Sequence, residues 1–170
     1  KALKKEGIKY KGILYAGLMI TKKGPKVVEF NARFGDPETQ VILPRLKTDL
    51  FDIFMAISEE NLDTINIKWD NKATVCVVMA SKGYPISYKK GYEIKGIKKA
   101  IDKGLLVFQA GTKRKSGKLL TNGGRVLGVV GKGSNISSAV KKVYDNIDTI
   151  SFDGNYYRKD IAHNALELIN

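Results

Sequence analysis

The sequence of 170 residues has very few residues of two reactive types, since it contains a single cysteine and a single histidine. One cysteine cannot form a disulfide within the chain, and the apolar neighbours of Cys76 predict a thiol buried in a strand. His163 has no serine, cysteine or aspartate at a spacing that indicates a catalytic triad, so we predict a structural role for it. The sequence therefore points away from disulfide-stabilised scaffolds and from triad hydrolases.

Long apolar runs are also lacking. No stretch approaches the roughly 20 apolar residues that a membrane helix needs, and residues 1–7 do not have the apolar segment of a signal peptide. At 43% hydrophobic residues the chain can still bury a core. We therefore predict a globular, cytoplasmic protein with no membrane partner. The first residue is lysine rather than methionine and leads straight toward an apolar stretch, which predicts a fragment of a longer protein.

Acidic residues are scarce relative to basic ones. Seventeen Asp and Glu stand against 30 Lys and Arg, which gives a net charge of +13. Such a charge fits either a nucleic-acid surface or an attraction for phosphorylated small molecules. The lysines are scattered through turns and helix faces without a basic stripe interleaved with aromatic residues, which favours ordinary solvated charge. A basic nucleic-acid-binding module stays open as the alternative function.

The first part of the sequence predicts a β-hairpin. Residues 12–20 are apolar enough for a buried strand, and residues 26–31 contain the β-branched pair Val27 and Val28. Between them, residues 21–25 include glycine and proline and therefore predict a turn.

Helical signals follow a polar loop at residues 32–38. A short helix is predicted from about Glu38, and Pro44 should end or kink it. Asp49 is a good cap for a second helix that ends near Glu60. Four apolar residues of that helix recur at the spacing of one buried stripe: Leu50, Ile53, Phe54 and Ile57.

The second part of the sequence predicts a small mixed sheet or barrel-like domain with two helices. Strands are predicted at residues 73–80 and 105–110, and residues 119–130 form one or two strands broken at 122–124. We interpret the glycine-rich segment 121–125 as a hairpin turn. The mixed, polar stretch before these strands places the domain boundary between residues 68 and 69, so that the predicted domains are 1–68 and 69–170. The predicted fold class is α+β.

Two helices are predicted near the end of the sequence. Ser134 is expected to cap the first, whose apolar residues keep helical spacing over three turns, and the second is expected over residues 158–169. The glycine-rich segment 128–134 does not fit a phosphate-binding loop, because a glycine separates Lys132 from Ser134. We interpret it as a strand-to-helix turn.

The strongest chemical signal is the concentration of acidic, amide and guanidinium groups in residues 28–40. Residues two apart in a strand point to the same face, so Glu29 and Asn31 are predicted to lie side by side, about 7 Å apart along the chain. Magnesium prefers oxygen ligands, keeps several waters and is often completed by substrate phosphates. This pair therefore predicts a site for magnesium with ATP, although a glutamate and an asparagine at a strand end also commonly face water or cap a turn.

The neighbours of this pair suggest anion and substrate binding. Arg33 shares the predicted face if the strand continues, and its guanidinium could grip a phosphate or acyl-phosphate oxygen. Asp36 and Glu38 lie in a loop that can hold an ammonium group or a hydroxyl. The turn predicted at residues 35–37 could equally have only a structural role, which is to shape that loop.

At this point the sequence resembles a known family. The segments that carry the resemblance are Leu14-Tyr-Ala-Gly-Leu-Met-Ile20, Glu29-Phe-Asn-Ala-Arg-Phe-Gly-Asp-Pro-Glu-Thr-Gln40, Val78-Met-Ala-Ser-Lys-Gly-Tyr-Pro85, Phe108-Gln-Ala-Gly-Thr112, Thr121-Asn-Gly-Gly-Arg-Val-Leu127 and Arg158-Lys-Asp-Ile161. In this order they are similar to the glycinamide ribonucleotide synthetases, which are ATP-grasp ligases of purine biosynthesis. The resemblance spans nearly the whole chain and implies the end of an ATP-grasp domain followed by the next domain of that family.

The resemblance implies roles for individual residues. Glu29 and Asn31 would bind Mg²⁺ or Mn²⁺ and, through it, ATP. Because residues 16–18 contain no acidic residue, no third acidic metal ligand is expected from the preceding strand. Arg33 would steady an acyl phosphate, and Asp36, Glu38 and Arg125 would contact substrate.

The implied reaction transfers the γ-phosphoryl group of ATP to the glycine carboxylate, after which the nitrogen of 5-phosphoribosylamine attacks the glycyl phosphate. The family's amino-terminal domain, its nucleotide-gripping lysines and its lid do not occur in these 170 residues. We therefore expect the chain to need the rest of its parent enzyme and to be inactive alone.

Overall fold

A computed structural model of the protein describes residues 2–167. The chain forms two compact units, the first from residues 2–39 with 46–70 and the second from residues 40–45 with 71–167. The predicted boundary at residues 68 and 69 stays a prediction. The helices are α1 (Ala2–Lys5), α2 (Thr39–Ile42), α3 (Leu50–Ser58), α4 (Ile97–Asp102), α5 (Ile136–Tyr144) and α6 (His163–Glu167). The strands are β1 (Tyr15–Thr21), β2 (Gly24–Asn31), β3 (Ala73–Ser81), β4 (Leu106–Gln109), β5 (Thr112–Lys115), β6 (Lys118–Thr121), β7 (Arg125–Gly133) and β8 (Asn155–Tyr156).

The predicted hairpin of the first unit is confirmed, because β1 and β2 pair antiparallel. Its turn is shorter than predicted and consists of Lys22 and Lys23. The Thr21 hydroxyl donates to the Gly24 carbonyl at 2.8 Å and accepts from the Lys23 amide at 3.2 Å. Gly24 has a φ of +91°, a left-handed conformation that favours glycine. Residues 12–14 lie outside the strand that was predicted to include them.

The predicted cap of α3 is confirmed, since the Asp49 carboxylate accepts a hydrogen bond from the Phe51 amide at 2.8 Å. The predicted buried stripe is wrong at Phe54, which is 43% exposed, whereas Ile53 and Ala56 are buried. The short helix before Pro44 is confirmed as α2, and Pro44 itself lies in a 3₁₀ turn at Leu43–Arg45.

The main sheet belongs to the second unit and is four-stranded and antiparallel, in the order β4-β7-β3-β8. Helix α5 packs on β7, where Gly131 leaves room for it: a Cβ at Gly131 would lie 2.9 Å from the Val143 amide nitrogen. The fully buried side chains of this unit include Met79, Leu105, Leu127, Ile147 and Ile150. Cys76 is buried in β3, as predicted.

The glycine-rich segment 122–124 was wrongly interpreted as a hairpin turn. Strand β6 pairs with β5, which was not predicted, and β7 pairs with β3 and β4. The segment instead connects two sheets, and Gly111 holds it on both sides. At its start, the Asn122 amide donates to the Gly111 carbonyl at 2.7 Å, and just after its end the Arg125 carbonyl accepts from the Gly111 amide at 2.9 Å. The close approach of Gly111 and Gly123 excludes side chains at both positions.

Two helix predictions need correction, and one helix was missed. The cap of α5 is Asn135 rather than Ser134, because Asn135 and Ser138 form a reciprocal capping box. Helix α4 was not predicted. The predicted final helix begins only at His163, since residues 158–161 are held in a loop by Tyr144, whose hydroxyl donates to the Arg158 carbonyl and accepts from the Ile161 amide. The predicted end of that helix, Ile169, lies outside the described residues.

No helix within residues 2–167 combines the length and the apolar character that crossing a bilayer requires.

Candidate functional site

The hairpin of the first unit brings polar side chains to one of its two faces. Tyr15 lies directly opposite Asn31, and Gly17 lies directly opposite Glu29. Residues directly opposite each other in an antiparallel pair share a face of the sheet. The face that carries Tyr15, Gly17, Glu29 and Asn31 is called the site face below.

Glu29 and Asn31 lie side by side, which confirms the predicted geometry, while their role stays a prediction. The Asn31 side-chain amide donates a hydrogen bond to Glu29 Oε1 at 2.8 Å. Because a carboxylate only accepts hydrogen bonds, the amide NH₂ must face it, and the Asn31 carbonyl oxygen and the second Glu29 oxygen stay available as ligands. Glu29 is exposed and Asn31 half-buried.

Gly17 keeps the space beside Glu29 open. A Cβ built at Gly17 would lie 3.2 Å from Glu29 Cγ, which is tighter than ordinary packing. An acidic side chain on β1 would therefore press on Glu29. Within residues 2–167 there is no group of three or more His, Cys, Asp and Glu side chains placed to hold a metal ion. One carboxylate and one amide oxygen fit a magnesium ion that takes its other ligands from water and phosphates.

Tyr15 is a member of the site face that the sequence did not predict. Its hydroxyl donates to Glu38 Oε1 at 3.2 Å. Partial desolvation raises the pKa of the Tyr15 hydroxyl above its ordinary value, and the nearby carboxylates of Glu38 and Glu29 raise it further. The hydroxyl therefore stays protonated and able to donate. The two-residue turn at Lys22 and Lys23 alone would place Tyr15 opposite Phe30, and the β-bulge between Gly17 and Leu18 is what brings it opposite Asn31, so no simple sequence pattern indicated it.

The loop after β2 folds back on itself around Gly35. Gly35 is buried, and its carbonyl accepts hydrogen bonds from both the amide and the hydroxyl of Thr39. A side chain at Gly35 would collide with the Glu38 carboxylate, so the glycine lets Glu38 lie against the loop backbone. The Asp36–Pro37 peptide bond is cis, and Asp36 is exposed. The structure thus brings Glu38 to Tyr15 and to the site face.

Arg33 does not extend the strand face as its sequence position suggested. Strand β2 ends at Asn31, and the Arg33 guanidinium points to the loop, where it donates to the Phe34 carbonyl at 2.8 Å. The condition attached to that prediction, a continued strand, is not met. Arg33 is nevertheless exposed and keeps further N–H donors, since a guanidinium has five.

In the second unit, Arg125 occupies the first position of β7 and its side chain is exposed. Its backbone is fixed because its carbonyl accepts from the Gly111 amide, and Ala80 of β3 lies opposite it. The neighbouring turn is also fixed, because the Ser81 amide donates to the Gly124 carbonyl at 2.8 Å and the Tyr84 ring packs directly on Gly124.

Comparisons with known proteins agree on one family. The family model described as "Phosphoribosylglycinamide synthetase, C domain" matches residues 74–164, and the one described as "Phosphoribosylglycinamide synthetase, ATP-grasp (A) domain" matches residues 1–39. The second match contains the whole hairpin and the whole loop that follows it.

Individual relatives are similar over nearly the whole chain. A phosphoribosylamine–glycine ligase of Caldanaerobacter subterraneus is 58% identical over 161 residues, which are 95% of this chain and 38% of the relative. The trifunctional purine biosynthetic protein adenosine-3 of Gallus gallus is 50% identical over 99% of this chain and 17% of its own length. A crystal structure of phosphoribosylamine–glycine ligase from Thermotoga maritima superposes with a TM-score of 0.79 at 37% identity, covering 94% of this chain and 39% of that one. The chain thus spans less than half the length of these relatives.

Proposed function

Because this chain belongs to the phosphoribosylglycinamide synthetase family, we propose that it is part of a ligase of purine biosynthesis. This ligase joins glycine to 5-phosphoribosylamine and converts ATP to ADP and phosphate. The family matches and the relatives named phosphoribosylamine–glycine ligase support this proposal. The single observation that carries it is the hydrogen-bonded pair of Glu29 and Asn31 on an exposed strand face, within the stretch that matches the ATP-grasp domain. We expect the 170 residues alone to be inactive.

Glu29 and Asn31 are the proposed ligands of Mg²⁺ or Mn²⁺. Both offer oxygen atoms on one face, and Gly17 leaves that face open next to Glu29. When bound, such an ion neutralises charge on the phosphoryl group that is transferred from ATP and fixes its orientation. The chain's own contribution is to hold the two oxygen donors at a rigid strand end, where the ladder to β1 fixes the backbone of both residues.

Glu38 and Asp36 are the proposed contacts to the glycine ammonium group. Glu38 is half-buried and oriented by Tyr15, whose hydroxyl donates to one of its carboxylate oxygens. A carboxylate held in this way can accept from an ammonium group without first losing conformational freedom. Asp36 is exposed on the same loop.

Arg33 and Arg125 are the proposed contacts to anionic groups. Arg33 is proposed to steady the acyl phosphate formed from glycine, using the guanidinium N–H groups that the Phe34 carbonyl does not occupy. Arg125 is proposed to bind a substrate phosphate, because its backbone is fixed on both sides while its side chain is exposed.

The net charge of +13 motivated a nucleic-acid-binding module as the alternative. The matches to a ligase family over both parts of the chain favour the ligase, and a strongly basic protein suits substrates that carry phosphate groups. Among residues 2–167, no particular arrangement of side chains favours the alternative.

The test uses the full-length ligase that contains this chain. Glu29→Ala or Asn31→Ala should lower the rate of ADP formation at saturating glycine on the order of 100-fold or more, because metal-assisted stabilisation of the phosphoryl group is worth several kcal/mol. The magnesium concentration for half-maximal rate should rise in both variants.

Glu59→Ala is the matched control, because Glu59 also accepts a hydrogen bond from an asparagine two residues later, Asn61, but at the end of α3. Its turnover should stay within about twofold of the unmodified enzyme, as expected for a surface substitution. Normal turnover of both Glu29→Ala and Asn31→Ala at all magnesium concentrations would remove Glu29 and Asn31 from the site.

A further inference from the structure

Residues 40–45 follow closely after Glu38 and belong to the second unit, whereas Glu38 itself belongs to the first. They contain most of α2 and the 3₁₀ turn at Leu43–Arg45, and residues 40–44 are half-buried. We call residues 40–45 the anchor segment. The chain therefore enters the second unit within two residues of a proposed glycine contact.

Two strands of the main sheet bind the anchor segment. Thr74 of β3 lies directly opposite Lys132 of β7, so both side chains stand on the same face of the sheet. The Thr74 hydroxyl donates to the Val41 carbonyl at 2.7 Å, and Lys132 Nζ donates to the Pro44 carbonyl at 3.1 Å. The sheet thus holds the backbone of the anchor segment at two points.

The anchor segment needs such partners because α2 is very short. A helix of four residues is not stable by itself, and the last carbonyls of any helix have no partner within it. The Val41 carbonyl lies in the last turn of α2, and the Pro44 carbonyl lies just beyond it. We therefore expect the conformation of α2 to depend on Thr74 and Lys132.

Glu38 is the residue that immediately precedes α2. Its carboxylate accepts from the Tyr15 hydroxyl, and its backbone lies between Gly35 and Thr39, which are joined by two hydrogen bonds. Because the chain is continuous, a shift of α2 also shifts the Glu38 backbone. A misplacement of about 1 Å in a group that positions substrate can cost about 100-fold in rate.

We propose that Thr74 and Lys132 are positioning residues for glycine, because they hold the anchor segment and, through α2, the Glu38 carboxylate. The proposal rests on the proposed function, in which Glu38 contacts the glycine ammonium group. It goes further by making the affinity for glycine depend on two side chains of the main sheet that act through α2.

The test uses the full-length ligase and initial rates at varied glycine and ATP concentrations. Thr74→Val keeps the shape of the side chain and removes its hydroxyl. It should raise the KM for glycine about five- to tenfold, because the Val41 carbonyl loses its donor. Both kcat and the KM for ATP should change less than about twofold, since only the binding of glycine is weakened. Thr74→Ser keeps the hydroxyl and should restore the KM for glycine to within about twofold of the unmodified enzyme.

Lys132→Met is an independent second variant, because it removes the donor to the Pro44 carbonyl and keeps the apolar part of the side chain. It should raise the KM for glycine at least about threefold. Thr149→Val is the matched control. Thr149 is also half-buried in the second unit, and its hydroxyl also donates to a backbone carbonyl at 2.7 Å, that of Asn146. This variant should leave the KM for glycine within about twofold of the unmodified enzyme.

Three results would overturn the proposal: an unchanged KM for glycine in Thr74→Val, an equal rise in Thr149→Val, or no recovery in Thr74→Ser. Glu38→Gln separates such a failure from a failure of the proposed function, and it should raise the KM for glycine by itself. If Glu38→Gln raises that KM while Thr74→Val does not, only the positioning role is wrong. If Glu38→Gln leaves it unchanged, Glu38 does not contact glycine, and the positioning role falls with that contact.

Discussion

At the scale of single residues, Tyr15 connects the site face to the loop that follows β2. Its hydroxyl is the donor to Glu38, and its ring stands opposite Asn31. Tyr15→Phe keeps the ring and removes only that donor. We expect the full-length ligase with this change to show a KM for glycine raised about tenfold, because a hydrogen bond to a charged group contributes roughly 1.5–3 kcal/mol. The affinity for magnesium should be unchanged, since Glu29 and Asn31 keep their contact.

Tyr10→Phe provides the control for Tyr15→Phe, because Tyr10 also loses one hydroxyl donor, to the Ile13 carbonyl, at an exposed position. Initial rates at varied glycine concentration separate KM from kcat. An unchanged KM in Tyr15→Phe, or an equal rise in Tyr10→Phe, would mean that Tyr15 does not position Glu38.

The residues of the site were predictable to different degrees. Glu29 and Asn31 could be placed together from sequence because strand periodicity is local. Tyr15 required the register of the hairpin, which depends both on a turn of only Lys22 and Lys23 and on a β-bulge that adds Val28 to β2. The strand face expected for Arg33 depended on a strand that continues past Asn31, and β2 instead ends there, before the loop that contains the buried Gly35.

At the scale of elements, the start of α5 shows how one cap residue is chosen over its neighbour. Ser134 and Asn135 are both good caps by type. The capping box requires a side chain three residues later that returns to the cap amide, and Ser138 meets this for Asn135: the Ser138 amide donates to Asn135 Oδ1 at 2.8 Å, and the Asn135 amide donates to Ser138 Oγ at 3.0 Å.

Asn135→Ala should therefore lower the free energy of unfolding by about 1 kcal/mol, the typical cost of losing a cap. Ser134→Ala, one position earlier, should change it by less than about 0.5 kcal/mol, as for an ordinary surface residue. Urea unfolding followed by far-UV circular dichroism measures both. A larger loss of unfolding free energy in Ser134→Ala than in Asn135→Ala would show that Ser134 is the cap, as the sequence first indicated.

Other elements depended on partners that are distant in sequence. Strands β3 and β7 were predicted because their apolar runs are strong. The hairpin of β5 and β6 was missed because residues 112–118 are mostly lysine, arginine and serine or glycine, a composition typical of loops. The segment 122–124 has hairpin composition, yet its hydrogen bonds go to Gly111, a pairing that no local pattern contains.

At the scale of the whole molecule, the buried apolar side chains are unevenly distributed between the two units. Among the residues described, only Ile53 and Ala56 are buried apolar residues of the first unit, and all others belong to the second. Because burial of apolar area is the main stabilising contribution to folding, the second unit should be the more stable of the two. The α+β class and the order of strong strands could be predicted from sequence, whereas this imbalance could not, since exposure of the hairpin depends on which segments cover it.

Two separable unfolding transitions should follow from this imbalance. Trp69, the only tryptophan, belongs to the first unit and reports on it by fluorescence, while far-UV circular dichroism is dominated by the second. The fluorescence transition should occur at lower urea. Leu127→Ala, at a fully buried position of β7, should reduce the unfolding free energy in the circular dichroism transition by about 2–5 kcal/mol and leave the fluorescence transition in place.

Ile86→Ala, at a residue 94% exposed in the same unit, is the control and should alter neither transition. Coincident transitions by both probes would show instead that the two units unfold cooperatively, and that the first draws its stability from the second.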